Sequence, residues 1–593
     1  MKKYIFGLFT LASAFALTAC SDFLDQMPDE RTELANETEV VDLLKGAYPF
    51  YNYQYVCELT SDNLIDNNAP HLPSSPNDKQ IENHYNYPSY ARWNDEMFRF
   101  EPANTATFSD RESPGEIWES FFNSIASVNA ALEAIDKIAA EQNINRREDF
   151  GRLSARLRAA YGEAMLLRAY DHFMLANIFG QAYKNETTSA NEISLPYVTE
   201  PETQLKKDYT RLSVKEMYDK IIADLEEGLK YVSDSYYDAP KYHFNTQAAH
   251  AFAARVYLFH HDWDKVIEHA NVVLGTNDEQ LIRMCMDYSV FEKCATADDY
   301  GNAWQNPNLN NNLMLLDTYS IYSRVIFGYR YSLAGEAASA AMMVRTSQLW
   351  DGYIVTPIAV VSGMLFSSSS HDYGFFSCKI QERFQMLDKI AQTGYVHQII
   401  RAFTGMNLLL ERAEAYIMKN DLANASHDLQ AYWNNSIETF SAKDKESFYP
   451  KYIKKLTDDI LKSNFVTTAR NKNPNNLENW NFLTQNISSD ITISAEAVPY
   501  MNCLNDFRRF ENAFEGIRFF DLKRWGMEWT HYYGLDKTPY VMAGNDERRA
   551  LEAPWEALAN GAGTSRPTVN LNTDVPAQQE LRRPTDKELR IKE

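Results

Sequence analysis

Positive charge is in short supply in this chain: 58 Lys and Arg face 81 Asp and Glu, for a formal net charge of −23. A body this acidic repels phosphate backbones and anionic lipid, which makes nucleic acid and a charged membrane surface poor partners. Cysteine is sparse too. Those after Cys20 are Cys57, Cys285, Cys294, Cys378 and Cys503, odd in number and without a Cys-x-x-Cys pair. Neither a disulfide framework nor a zinc site fits that spacing. Closure of a small loop by Cys285 and Cys294 stays open, with free buried thiols as the expectation. Beyond the first twenty residues no apolar run approaches the roughly 20 residues that cross a bilayer. The sequence also lacks a Walker loop, a dinucleotide fingerprint, His-Glu-x-x-His and Gly-x-Ser-x-Gly. His260, His261 and His269 come without carboxylate-supported ligand spacing and read as packing or surface histidines. The "SSSSH" run at 367–371 reads as loop composition, since a nucleophile needs a geometric partner rather than a sequential one. No cofactor, metal or catalytic residue is implied, although an acidic chain always leaves a carboxylate pair for glycoside hydrolysis open.

What is present begins at the first residue. "MKKYIFGLFTLASAFALTAC" places two lysines before a short apolar run and small residues before a cysteine, the grammar of a secretory signal. Leu-x-Ala-Cys resembles the bacterial lipobox, in which cleavage leaves the cysteine as an acylated first residue. The expectation is a signal peptide at 1–19 and a lipid on Cys20. At about 0.8 kcal/mol per buried methylene, two or three acyl chains hold a soluble body firmly to a membrane. Ser21, Asp22, Asp25, Asp29 and Glu30 follow, an acidic start resembling the surface-export signal of lipoproteins from the Bacteroidetes.

Aromatic residues are abundant, at 13% of the chain, with 36 tyrosines, 32 phenylalanines and 10 tryptophans. A core absorbs the phenylalanines; so many tyrosines and tryptophans suggest that some rings also present faces to a ligand. Helices carry explicit starts. In "SPGEIWESFFNSIASVNAALEAIDKI" Ser113 caps, Pro114 takes the first helical position and Glu116 completes a capping box. Trp118, Phe122, Ile125, Asn129 and Leu132 recur on one face, with Asn129 expected to satisfy neighbouring backbone. "SVKEMYDKIIADLEEGLKYV" repeats the pattern with Ser213, Glu216, Tyr218, Ile221, Leu225 and Leu229. The expected helices are 116–138, 153–180 and 213–232. "ARVYLFHHDW" at Ala254 and "AEAYIMKNDL" at Ala413 match each other as Ala-x-x-Tyr-aliphatic followed by Asp and a bulky residue. That is the logic of a degenerate tetratricopeptide-like helix pair, with Asp262 and Asp421 capping second helices. Residues 66–112, 276–397 and 440–505 are irregular, and long loops on a rigid scaffold are usually functional.

The stretch "RRFENAFEGIRFFDLKRWG" concentrates charge among rings. Read as one helix, Phe507, Phe510, Phe514 and Ile517 form a stripe, Glu511 and Glu515 reach Arg518, and Asp521 lies three residues from Arg524. Such pairs, if buried, must be fully matched, so they specify orientation more than they stabilise. A structural charge seam is preferred over a catalytic cluster.

On these residues the chain resembles the SusD/RagB family of outer-membrane lipoproteins. Its C-terminal signature, Glu-x-x-x-Glu-Gly-x-Arg-aromatic-x-Asp-Leu-x-Arg-Trp, matches Glu511, Glu515, Gly516, Arg518, Phe519, Asp521, Leu522, Arg524 and Trp525. "CSDFLDQMP", "IWESFFNSIASVNAALEAI", "GEAMLLRAYDHFMLANIFG" and "LLLERAEAYI" resemble further family segments in order. The usual "NP" and "QNPGY"-like ending is replaced by "NDERRALEAPWEALANG", read as a subfamily variant. The resemblance implies a mainly α fold: a SusD-like α-superhelix of degenerate tetratricopeptide-like helix pairs with a loop-rich ligand-binding face. It places the scaffold mainly at 113–275, 398–435 and 505–530 of a single body, 20–593, and the ligand side mainly at 62–112, 276–397 and 440–504. It also implies a cell-surface lipoprotein that captures oligosaccharides for a SusC-like TonB-dependent transporter, with no catalytic residue, some relatives binding peptides instead.

No family ligand motif matches residue for residue. Sugar rings need aromatic faces and polar partners together, and "YPSYARWND" offers both. The candidate ligand residues are therefore Tyr90, Arg92, Trp93 and Asn94, with Tyr300 and Trp304 from the middle loop. Peptide capture and a surface glycosidase are the rival readings.

Overall fold

The computed structural model describes residues 34–69, 87–201, 209–326, 329–333, 364–366, 375–439, 455–465, 491–536 and 538–567. The signal segment, Cys20 and the "SSSSH" run at 367–371 lie outside the described residues.

Capping chemistry sets the helix starts. Helix α1 (Glu37–Lys45) begins at Asn36, whose side chain accepts from the Thr38 and Glu39 N–H groups; α2 (Gln54–Leu59) and α3 (Arg92–Phe98) are short. Helix α4 (Pro114–Glu141) starts as its sequence dictates, with Ser113 accepting from the Glu116 N–H and Pro114 in the first turn. On it, Asn129 donates to the Val198 carbonyl at 3.1 Å. Helix α5 (Ala155–Phe179) is buried on every side from Ala159 to Phe179, the mark of a central helix. It packs on α4 and on α6 (Val214–Leu229). At the α5–α6 crossing a Cβ on Gly228 would sit 2.9 Å from the Gly162 carbonyl oxygen, so the two backbones touch only because both positions lack side chains.

The repeat in the sequence is a repeat in geometry. Helices α7 (Thr246–His260) and α8 (Trp263–Leu274) form one pair. After α9 (Ala297–Trp304), helices α10 (Gly405–Met418) and α11 (Leu422–Thr439) form the other. Both turns carry a left-handed residue before the Asp, His261 at φ 66° and Asn420 at φ 59°. In both the Asp N–H returns to the tyrosine carbonyl five residues back, Asp262 to Tyr257 at 2.9 Å and Asp421 to Tyr416 at 2.8 Å. Each Asp side chain then accepts from the N–H three residues on.

The middle segment, expected to be irregular, contains an antiparallel sheet. Strands β1 (Asn312–Tyr319), β2 (Glu382–Asp388) and β3 (Thr393–Thr404) pair in the order β1–β3–β2. The reason is local: Leu316 and Thr318 alternate with Asp317 and Tyr319, and Val396 and Gln398 with Tyr395 and His397, a period of two with one face turned inward. Register places Tyr319 opposite His397 and Gln385 opposite Tyr395.

The charged stretch folds as two helices rather than one. Helix α12 (Val498–Glu511) ends, the chain turns through left-handed Phe514 (φ 66°) and Gly516 (φ 73°), and α13 (Ile517–Arg524) begins. The expected contacts of Glu511 and Glu515 with Arg518 are thereby broken. Glu515 instead accepts from Arg401 at 2.6 Å, and Arg518 forks onto Asp62 at 2.8 and 2.9 Å. Arg508 forks onto Asp521 and Arg524 onto Glu414, with Arg524 also reaching Asp521 at 3.0 Å and Trp525 donating to Glu414 at 3.0 Å. All of these groups are buried. Burial drives Asp62 upward, but Arg509 and Arg518 outweigh it and hold the carboxyl at about 2. The Gly516 N–H donates to Glu58 of α2 at 3.0 Å, and a Cβ there would meet the Gln54 backbone.

Removing one partner leaves the other charge buried and unmatched, so Arg518→Ala is expected to lower unfolding stability by about 3–5 kcal/mol in denaturant titration. Gly516→Ala combines left-handed strain with backbone contact and is expected to cost about 1–3 kcal/mol.

Candidate functional site

The residues singled out from sequence do not converge. Tyr90 is half-buried and meets Tyr329 edge-on at 5.6 Å, while Arg92 stands exposed in the first turn of α3. Trp93 is 1% exposed and packs against Tyr55, and the Asn94 side chain accepts the Ala91 N–H at 2.7 Å as a helix cap. Tyr300 stacks on Phe291, and Trp304, 0% exposed, covers the cations of Arg401 and Lys379 at 4.6 and 5.0 Å. Trp93, Asn94 and Trp304 are thus corrected from ligand contacts to interior anchors. Large rings gain most by leaving water, and each finds a buried partner. The Tyr90–Asn94 and Tyr300–Trp304 groups also have different neighbours.

Rings that face solvent gather elsewhere, where the segment after α1 crosses the open end of the sheet. The Tyr319 N–H donates to the Phe50 carbonyl at 2.7 Å, and Tyr51 forms a parallel bridge with Tyr319. The Tyr51 N–H is tied to Ser120 of α4 at 2.9 Å. These bonds bring Phe50, Tyr51, Tyr319 and Tyr395 together. Phe50, 50% exposed, lies nearly parallel to Tyr319 with centroids 5.6 Å apart. Tyr395 stands 6.1 Å from Tyr319 and 6.4 Å from Phe50. The Arg111 guanidinium carbon sits 4.3 Å from the centre of the Tyr319 ring. Around the rings lie polar groups: Tyr395 donates to Gln385 at 2.6 Å, and His397 contacts Asp317 at 2.5 Å. Tyr90 borders this platform, its hydroxyl raised by burial and by Glu112 and lowered by Arg111.

Sequence reading missed Phe50, Tyr319 and Tyr395. The one local signal was the two-residue alternation of Asp317 and Tyr319, and of Tyr395 and His397; the contact joining residue 50 to residue 319 has no local signature. Among the described residues no three His, Cys, Asp or Glu side chains are grouped to hold a metal ion. His269 instead meets His250 at 2.9 Å, and the five described cysteines are free thiols.

Beneath the platform, Glu112 and Glu116 are buried carboxyls. Burial pushes Glu112 up to about 8 against a 2.6 Å bond from the Ile321 N–H, and Glu116 up to about 7. An acid raised above its unfolded value favours the fold while protonated, so this contribution is complete below the ordinary value of 4.5 and is lost progressively as pH rises to 7 and 8. Glu112→Gln is expected to match wild type in melting temperature near pH 4, below the ordinary carboxylate value of 4.5. At pH 9 it should be more stable, by about 2 kcal/mol or more. Trp304→Ala should act on stability, costing about 3–5 kcal/mol.

Residues 22–258 match the family model described as SusD-like, "Starch-binding associating with outer membrane". No curated protein matches the sequence. A SusD superfamily protein from Bacteroides fragilis is 15% identical with a TM-score of 0.53, the match covering 89% of this chain and 99% of that one. One from Bacteroides thetaiotaomicron is 14% identical with a TM-score of 0.52, over 88% and 98%. A SusD-like carbohydrate binding protein from Bacteroides vulgatus is 13% identical with a TM-score of 0.51, over 89% and 97%. At these identities the structures show a shared fold. The N-terminal part of the chain is thus similar to the SusD-like family model, and the mainly helical architecture with its paired α7–α8 and α10–α11 units shares the fold of SusD superfamily structures.

Proposed function

We propose that this protein is a cell-surface lipoprotein that captures oligosaccharides on the Phe50–Tyr51–Tyr319–Tyr395 platform and passes them to a partner TonB-dependent outer-membrane transporter. The observation that carries the reading is the platform itself: four clustered rings, solvent-facing at Phe50, two on the sheet and two on the segment bonded to it, with polar side chains beside them. Sugar rings bury their C–H faces against aromatic faces, while their hydroxyls take hydrogen bonds from groups such as Gln385, His397 and Arg111. The family description, which names starch binding and the outer membrane, supports the same reading, as does the carbohydrate-binding neighbour.

Capture in this scheme is reversible and breaks no bond. The rings are held by backbone bonds before ligand arrives, so little side-chain freedom is lost on binding. Tyr90 stands at the edge of the platform in this scheme, sharing Arg111 with it, while Arg92 and Tyr300 contribute only if a long ligand extends beyond the rings. The lipid on Cys20 keeps the body at the membrane, consistent with a chain whose described helices include none long and apolar enough to cross a bilayer.

A glycan array and a peptide library probed with the purified protein test the assignment. Glycan binding is expected, with Phe50→Ala and Tyr395→Ala each weakening it about tenfold, the equivalent of about 1.4 kcal/mol. Binding of peptides alone would move the protein to the peptide-capturing branch, and turnover of a glycan would make it an enzyme. Cys20→Ala should release the body from the membrane fraction, and affinity purification of the wild type should retain a TonB-dependent transporter.

A further inference from the structure

We propose that the platform selects anionic oligosaccharides, carrying carboxylate or sulfate groups, and that Arg111 is the residue that binds the anion. The inference rests on the glycan-binding reading above and narrows its ligand class.

Many arginines of this molecule are held by carboxylates, and buried Arg549 and Arg566 by backbone carbonyls. Arg168, Arg255, Arg330, Arg412, Arg508 and Arg524 all engage carboxylates. Among the described residues, Arg111 has neither kind of partner. It is half-exposed, its guanidinium lies on the Tyr319 ring, and among the described residues it makes no ion pair or hydrogen bond. A guanidinium held over a ring by the ring's quadrupole spends none of its N–H groups on that contact, which leaves them for bidentate recognition of a carboxylate or sulfate.

The acids nearby are engaged elsewhere. Glu112 accepts from the Ile321 N–H and Glu116 from the Glu112 N–H at 2.8 Å, both buried beneath the platform. Asp110 accepts from the Thr107 N–H and hydroxyl, and Asp317 is taken by His397. Glu119 is the half-exposed acid left in range, with the Tyr51 and Tyr90 hydroxyls as the other titratable neighbours. Protonation of Glu112 and Glu116 near neutral pH further reduces competition for Arg111. The net charge of −23 is spread over the whole molecule, and a Debye length of about 8 Å at physiological salt screens an anion at Arg111 from most of it.

The test is an array of neutral, uronate-bearing and sulfated oligosaccharides read with wild type, Arg111→Gln, Arg111→Lys and a Phe50→Ala/Tyr395→Ala double variant. Wild type should favour the anionic members at least tenfold over neutral ones of the same backbone, with the preference shrinking in high salt. Arg111→Gln should collapse that ratio to below twofold, and Arg111→Lys should restore it in part. Uronate-only or sulfate-only binding identifies which anion the fork accepts. A wild type that prefers neutral glycans, or a ratio unmoved by Arg111→Gln, overturns the inference and leaves the ring platform standing. A double variant that binds every glycan as wild type does, or a wild type that binds none, removes the platform and this inference together.

Discussion

Arg518 reaches from the start of α13 to Asp62, more than four hundred residues earlier in the chain, and the architecture depends on that kind of contact. Asp62 follows α2, Arg508 and Asp521 join α12 to α13, Glu414 brings in α10, and Arg401 brings in β3 through Glu515. Five elements from three distant parts of the sequence are therefore held in one charged lattice inside the core. Taking so many charges out of water costs several kcal/mol per ion, and the geometry recovers this only where forks are complete. A lattice of this kind contributes little net stability, but a misplaced element leaves charges unmatched, so it selects one arrangement of helices over its competitors.

That selection sets the position of the ligand platform. Glu58 and Gln54 of α2 meet Gly516 at the lattice, and the chain just before α2 carries Phe50 and Tyr51. Arg401 lies in the strand that displays Tyr395 and His397 at its other end. The same buried pairs that orient the helices thus fix, through α2 and β3, the two sides of the ring cluster. Trp304 shows the economy of the arrangement: a residue with the chemistry of a sugar platform is used inside, its ring face laid against Arg401 and Lys379.

The surface and the interior treat charge in opposite ways. Inside, the guanidinium groups of Arg508, Arg518 and Arg524 are matched to carboxylates by forks. At the platform, Arg111 is held by a ring, and the carboxyls below it are occupied by backbone N–H groups. A ring attracts a cation through its quadrupole without neutralising it, so the charge stays available at the surface of an acidic protein.

Helix identity was legible because its determinants are local: Ser113-Pro114 with Glu116, Ser213 with Glu216, and the Tyr-to-Asp spacing of the two pairs each act within one or two turns. The signature Glu511–Trp525 was legible as a charged structural seam, yet its partners were not. Left-handed Phe514 and Gly516 break the helix that the spacing implied, and the pairing with Asp62, Arg401 and Glu414 is decided by where other elements arrive. Burial decided the fate of Trp93 and Trp304, because side-chain type does not say which face of the molecule a ring will meet. The platform is the clearest case. Phe50, Tyr319 and Tyr395 are ordinary strand and loop residues until the β1–β3 register and the Phe50–Tyr319 backbone bond bring them together, and that juxtaposition is a property of the fold alone.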